Sequence, residues 1–124
     1  MAHNVTTLEL PLVPESFNRT RYAPWYVTRA ANSALQGALG AALMANGIQR
    51  GQSTVYASAE LTFPTKRRRD EGNYRTPLEK ALGDVLVSGR WLPDDTPDHY
   101  RFGGVVFSST AGPHNTVLTL RWND

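Results

Sequence analysis

The chain has 124 residues, 40% hydrophobic and 19% charged, which supplies apolar material for one core and too little for two, so a single domain over 1–124 is expected. It contains no cysteine, which excludes disulfides, zinc–thiolate sites and cysteine nucleophiles and gives no sign of an oxidising compartment. No apolar stretch reaches the roughly 18 residues of a membrane span and the first residues lack a signal-peptide pattern, so the expectation is a cytoplasmic protein with no membrane partner.

Val5, Leu8, Leu10 and Leu12 include a period-two set ending at Pro11 and Pro14, which predicts a strand running into a loop. Over 26–46, alanine and leucine recur at spacings of three and four, predicting a helix stopped by Gly47, with Gly37 and Gly40 suited to close packing on a sheet. Residues 55–63 alternate apolar and polar and predict a half-buried strand that runs straight into Lys66-Arg67-Arg68-Arg69. Thr76-Pro77-Leu78-Glu79 is a capping-box pattern with proline at the first helical position. Leu78, Ala81, Leu82, Val85 and Leu86 make one apolar stripe behind it, ending near Gly89. Residues 93–98 are turn-rich and acidic, and 100–108 and 116–122 predict two strands joined as a hairpin through 111–115. The sum is an α+β fold: a mixed sheet of about four strands packed with two helices.

Net charge is only +2, so the four consecutive basic residues matter by position. Acidic turns flank the second helix, Asp70-Glu71 before it and Asp94-Asp95 after it. If the chain brings them together, the crowded carboxylates require a hard cation, and oxygen ligands favour Mg2+ or Mn2+. Basic residues beside a metal-binding acidic hollow point to phosphodiesters: the cations hold phosphates while the metal polarises one of them and activates water. Taken singly, a charge run after a strand is ordinarily a solvated turn, and Lys80 four residues before Asp84 is ordinarily an exposed ion pair.

Lys66-Arg67-Arg68-Arg69-Asp70, Asn73, the run Leu78-Glu79-Lys80-Ala81-Leu82-Gly83-Asp84-Val85-Leu86, Gly89, Trp91-Leu92 and Asp94-Asp95 occur in that order. Together they resemble the central signature of RusA-type Holliday junction resolvases over roughly residues 63–100. Upstream, Leu10-Pro11 with Pro14, Ser16 and Asn18 resembles the family's amino-terminal turn. The resemblance implies a two-fold homodimer that binds four-way DNA junctions and nicks them by Mg2+-dependent hydrolysis, leaving 5′-phosphates. It carries catalytic roles to Asp70, Asp95 and Lys80, and metal ligation to Asp70 and Asp95 with Asp94 or Glu71 as further candidates. Lys66, Arg67, Arg68, Arg69 and Asn73 are carried over as DNA contacts. The chain departs from the pattern at Gly72, where the family's Asp-x-Asp-Asn element has its second aspartate, and in a few extra residues around 74–77. The departure leaves open a catalytically impaired junction-binding dimer.

His3, His99 and His114 are scattered without metal-ligand spacing and receive no role. Phe17, Tyr22, Trp25 and Tyr26 near the amino-terminal loop read either as core anchors, the commoner case, or as platforms for unpaired bases.

Overall fold

The computed structural model describes residues 4–123. In chain order the elements are β1 (Asn4–Leu10), α1 (Phe17–Thr20), α2 (Trp25–Ala45), β2 (Val55–Thr62), α3 (Glu71–Ser88), β3 (Tyr100–Phe107) and β4 (Asn115–Trp122). The fold is α+β, as expected, with a third helix added. That addition, α1, is a single turn whose N-cap Ser16 accepts through Oγ from the Arg19 N–H at 3.2 Å.

The four strands form one mixed sheet in the order β1-β4-β2-β3, with β4 antiparallel to both β1 and β2 and β3 parallel to β2. The expected hairpin between the last two strands is therefore not formed, because β2 lies between them. Turn residues at 111–115 mark a change of direction but not a partner. The connection from Ser108 to His114 is long enough to cross the ~10 Å between next-nearest strands.

Strand alternation buries Leu8, Ala57, Leu61, Leu118 and Leu120 on one face of the sheet. Leu35, Leu39 and Leu43 of α2 and Leu78, Leu82 and Leu86 of α3 complete that core. The expected close packing of the α2 glycines on the sheet is not formed: a Cβ on Gly40 would meet Val85 of α3 at 3.9 Å, and one on Gly37 would meet nothing within 4 Å.

Helix α3 starts at Glu71, ahead of the Thr76-Pro77 pattern, which the structure does not use as a start. Asp70 is the N-cap, its Oδ1 accepting from the Gly72 N–H at 3.3 Å, and Glu71 places an acid in the first turn. Pro77 consequently sits inside the helix, where it offers no N–H to the Asn73 carbonyl. The helix ends at Gly89, against which the buried Trp91 ring lies so closely that any Cβ there would run into it. Trp91 is fixed by its Nε1–H donating to the Ile48 carbonyl at 3.0 Å and by the Arg50 guanidinium 4.6 Å from its centroid. Gly89→Ala is expected to overpack this corner and destabilise the fold by about 1–3 kcal/mol, read as a lower urea midpoint with an unchanged slope.

Candidate functional site

The site is positioned by the way α3 grips the edge strand β3. Opposite Ser58 of β2, strand β3 carries two residues, Gly103 and Gly104, so the ladder register shifts in a β-bulge. Gly104 has φ 138°, open to glycine, and a side chain on Gly103 would run into the Tyr56 hydroxyl. The freed edge groups are taken by α3. Glu71 Oε2 accepts from the Val105 N–H at 2.9 Å, and Arg75 Nη2 donates to the Phe102 carbonyl at 2.8 Å. Arg75 Nε also pairs with Glu79 at 3.1 Å, and the Tyr100 hydroxyl donates to the Glu79 carbonyl at 2.7 Å.

The basic run lies in the loop between β2 and α3, as expected. Its four members are not equivalent. Arg69 folds inward, its guanidinium 3.8 Å from the Phe63 ring centroid and its Nη1 donating to the carbonyls of Thr65 at 3.1 Å and Arg67 at 3.3 Å. Phe63 in turn packs on Tyr74, Phe107 and His114, with centroids 5.2, 6.2 and 5.7 Å away. Lys66, Arg67 and Arg68 remain exposed and make no ion pair among the described residues. Arg69 is thus the brace of the loop, and its three neighbours are the cations that face solvent. Beside the loop runs an open groove of about 590 Å³, lined by Ser16 and Arg19 from the amino-terminal turn and by Arg67 and Arg69 from the basic loop.

The acidic turns fall into two separate groups. Asp70 is exposed at the start of α3, where Asn73 donates its backbone N–H to the Asp70 carbonyl at 3.1 Å. Asp95 lies instead against the middle of the helix, its Cβ 3.6 Å from where a Cβ on Gly83 would stand. Asp94 caps this turn, its Oδ1 accepting from the Asp95 N–H at 2.7 Å. From Gly72, beside Asp70, to Gly83 the helix rises about 16 Å, so one chain does not bring the two turns into a single hollow. Among the described residues no three histidine or acidic side chains gather in a way that holds a metal ion. The oxygen donors suit a hard cation by chemistry, but the chain holds them in two separate groups.

Around Asp95 the structure adds acids that the acidic turns alone do not point to. Burial, then the Glu79 and Asp95 carboxylates and more weakly Asp84, hold the Tyr100 phenol well above its ordinary range, against the opposing pull of Arg75. Lys80 pairs with Asp84 at 3.4 Å while its own side chain stays 77% exposed. Asp84 also accepts from Gln36 Nε2 of α2 at 3.4 Å. The signal for Glu79 is its i,i+4 row with Glu71 and Arg75, legible only once the helix is known to begin at 71.

Of the histidines, His114 packs on Phe63 and His99 Nδ1 lies 2.9 Å from the Ser53 carbonyl, while His3 is outside the described residues. The preferred anchor role of the amino-terminal aromatics is overturned, since Tyr22 is 81% and Trp25 71% exposed. The reason is that the buried stripe of α2 begins only at Leu35, so its first turns project past the core. The Asp70 turn has room for the departure at position 72: a Cβ there meets only Asp70 Oδ1, at 3.8 Å. No protein-family model and no curated protein matches the chain. Glu71→Ala is expected to leave the Val105 N–H without its acceptor and to destabilise by about 1–3 kcal/mol, with Glu71→Gln closer to wild type, measured by urea unfolding.

Proposed function

We propose that this protein is a homodimeric, Mg2+-dependent endonuclease that binds four-way DNA junctions and nicks them, as its resemblance to RusA-type resolvases implies. The observation that supports this best is the braced loop: Lys66, Arg67 and Arg68 are held out to solvent by Arg69 and lead directly into the exposed Asp70 carboxylate. Three cations on a fixed support suit a phosphate backbone, and an acid at their end suits a metal on the same backbone.

In this reading Asp70 and Asp95, with Asp94 and Glu71 as neighbouring carboxylates, hold Mg2+ or Mn2+. When bound, the metal polarises the scissile phosphate and lowers the pKa of an attacking water. Lys66, Arg67, Arg68 and Asn73 hold the strand, and Lys80 places a positive charge where the leaving oxygen develops negative charge. Because one subunit keeps its two acidic turns apart, the reading requires a two-fold pairing that sets Asp70 of one subunit beside Asp95 of the partner subunit. Cutting two equivalent strands of a junction asks for the same symmetry.

The separation of the acidic turns, the missing carboxylate at Gly72 and the engagement of Glu71 with Val105 favour a second reading, a dimer that binds branched DNA without cutting it. A nicking assay on a labelled synthetic junction separates the two. The nuclease predicts paired nicks that vanish with chelator, and a drop of roughly 100-fold or more in Asp70→Asn or Asp95→Asn. Mixing those two variants is then expected to restore nicking of one strand per junction, because one of the two shared sites in a mixed dimer keeps both aspartates. Intact junctions with tight binding support the second reading, and Gly72→Asp is expected to raise activity in that case. Replacing Lys66 or Arg67 by alanine is expected to make log affinity less steep against log salt, by about 0.9 for each phosphate that is no longer neutralised.

A further inference from the structure

We infer that Tyr22, Trp25 and Tyr26 form a stacking platform for unpaired DNA bases, a surface additional to the basic loop. This rests on the DNA reading above and assigns a second surface to it. The three rings stand at the junction of α1 and α2, 81%, 71% and 60% exposed, where solvent-facing aromatics of this size ordinarily serve contact. They are held in place rather than loose. The Trp25 and Tyr26 rings meet edge to face at 6.0 Å and 84°, the Arg21 guanidinium lies 4.5 Å from the Tyr22 centroid, and Thr28 Oγ1 ties α2 to the Thr20 carbonyl at 3.0 Å.

The electrostatics choose the occupant. Over residues 11–45 the sequence holds three arginines, Arg19, Arg21 and Arg29, and a single carboxylate, Glu15, which is 3.5 Å from Arg19. Aromatic faces interleaved with guanidinium groups suit a polyanion whose bases offer π-faces, and an acidic or purely apolar partner would use only half of that surface. Arg19, from the same amino-terminal segment as the rings, lines the groove beside the basic loop together with Glu15, Arg67 and Arg69, so a strand held by the basic loop meets a guanidinium group of this segment. A four-way junction opening at its centre, or any branch with a single-stranded arm, presents such bases; a closed duplex does not.

Trp25 makes the test direct, because the other two tryptophans, Trp91 and Trp122, are each only 3% exposed. Titrating the full-length protein with oligothymidylate is expected to quench tryptophan emission, and Trp25→Ala is expected to remove the quenching. By anisotropy, Trp25→Ala with Tyr26→Ala is expected to weaken single-strand binding about tenfold or more, with duplex affinity unchanged and Trp25→Phe close to wild type. Duplex binding without quenching, or with single-strand affinity unaltered in the variants, overturns the platform and leaves the basic-loop reading standing. Failure to bind either form of DNA sinks both. A change of oligomeric state in Trp25→Ala by sedimentation velocity also overturns it, since the rings are then a contact between protein chains.

Discussion

The placement of every candidate residue depends on the clasp between α3 and the edge of the sheet. Strand β3 has β2 on one side only, and its bulge at Gly103–Gly104 leaves backbone groups that a bare edge would expose. Glu71 and Arg75, one helical turn apart, take up one N–H and one carbonyl of that strand, while Tyr100 reaches back to the Glu79 carbonyl. Two hydrogen bonds from charged groups and one from a buried phenol fix the helix along its own axis as well as its distance from the strand. Sliding α3 by one turn would break all three, so the position of Asp70 at one end and of Asp95 against the middle is a consequence of this register.

The same economy governs the basic loop. Four adjacent cations repel one another and a free loop would spread them, yet Arg69 turns its guanidinium onto the Phe63 ring and two carbonyls of its own loop. One charge thereby serves geometry and three are left for a ligand. The aromatic group of Phe63, Tyr74 and Phe107 beneath it joins the end of β2 to α3 and β3, so the loop is anchored to three elements at once. A loop supported in this way loses little conformational entropy when a ligand binds.

Strand periodicity suffices to find the sheet because each strand buries one face, and the residues at Leu8, Ala57, Leu61, Leu118 and Leu120 alternate accordingly. Strand order is not legible in the same way: turn residues at 111–115 fit a hairpin as well as a step across β2, and only the pairing demand on both edges of β2 decides. Thr76-Pro77 points to the wrong start for α3 because it satisfies a local capping rule, whereas the tertiary bonds of Glu71 and Arg75 hold the residues before it in the helix despite Pro77. The exposed aromatics escape for the opposite reason. Composition cannot say how far a helix extends beyond the sheet that buries its other end.

The early start of α3 bears directly on the acidic site. Residues 74–77, where the sequence departs from the RusA-type spacing that it otherwise resembles, are wound into α3 and not looped out, and four helical residues span about 6 Å and slightly more than a full turn. Asp70 therefore stands beside the basic loop at the start of the helix, more than two turns ahead of Lys80. The start at Glu71 also puts Glu79 in line with Arg75 and Glu71, and Glu79 lies with Asp84 near Tyr100 and Asp95. The open space beside Asp70 shows that packing does not demand a glycine at position 72.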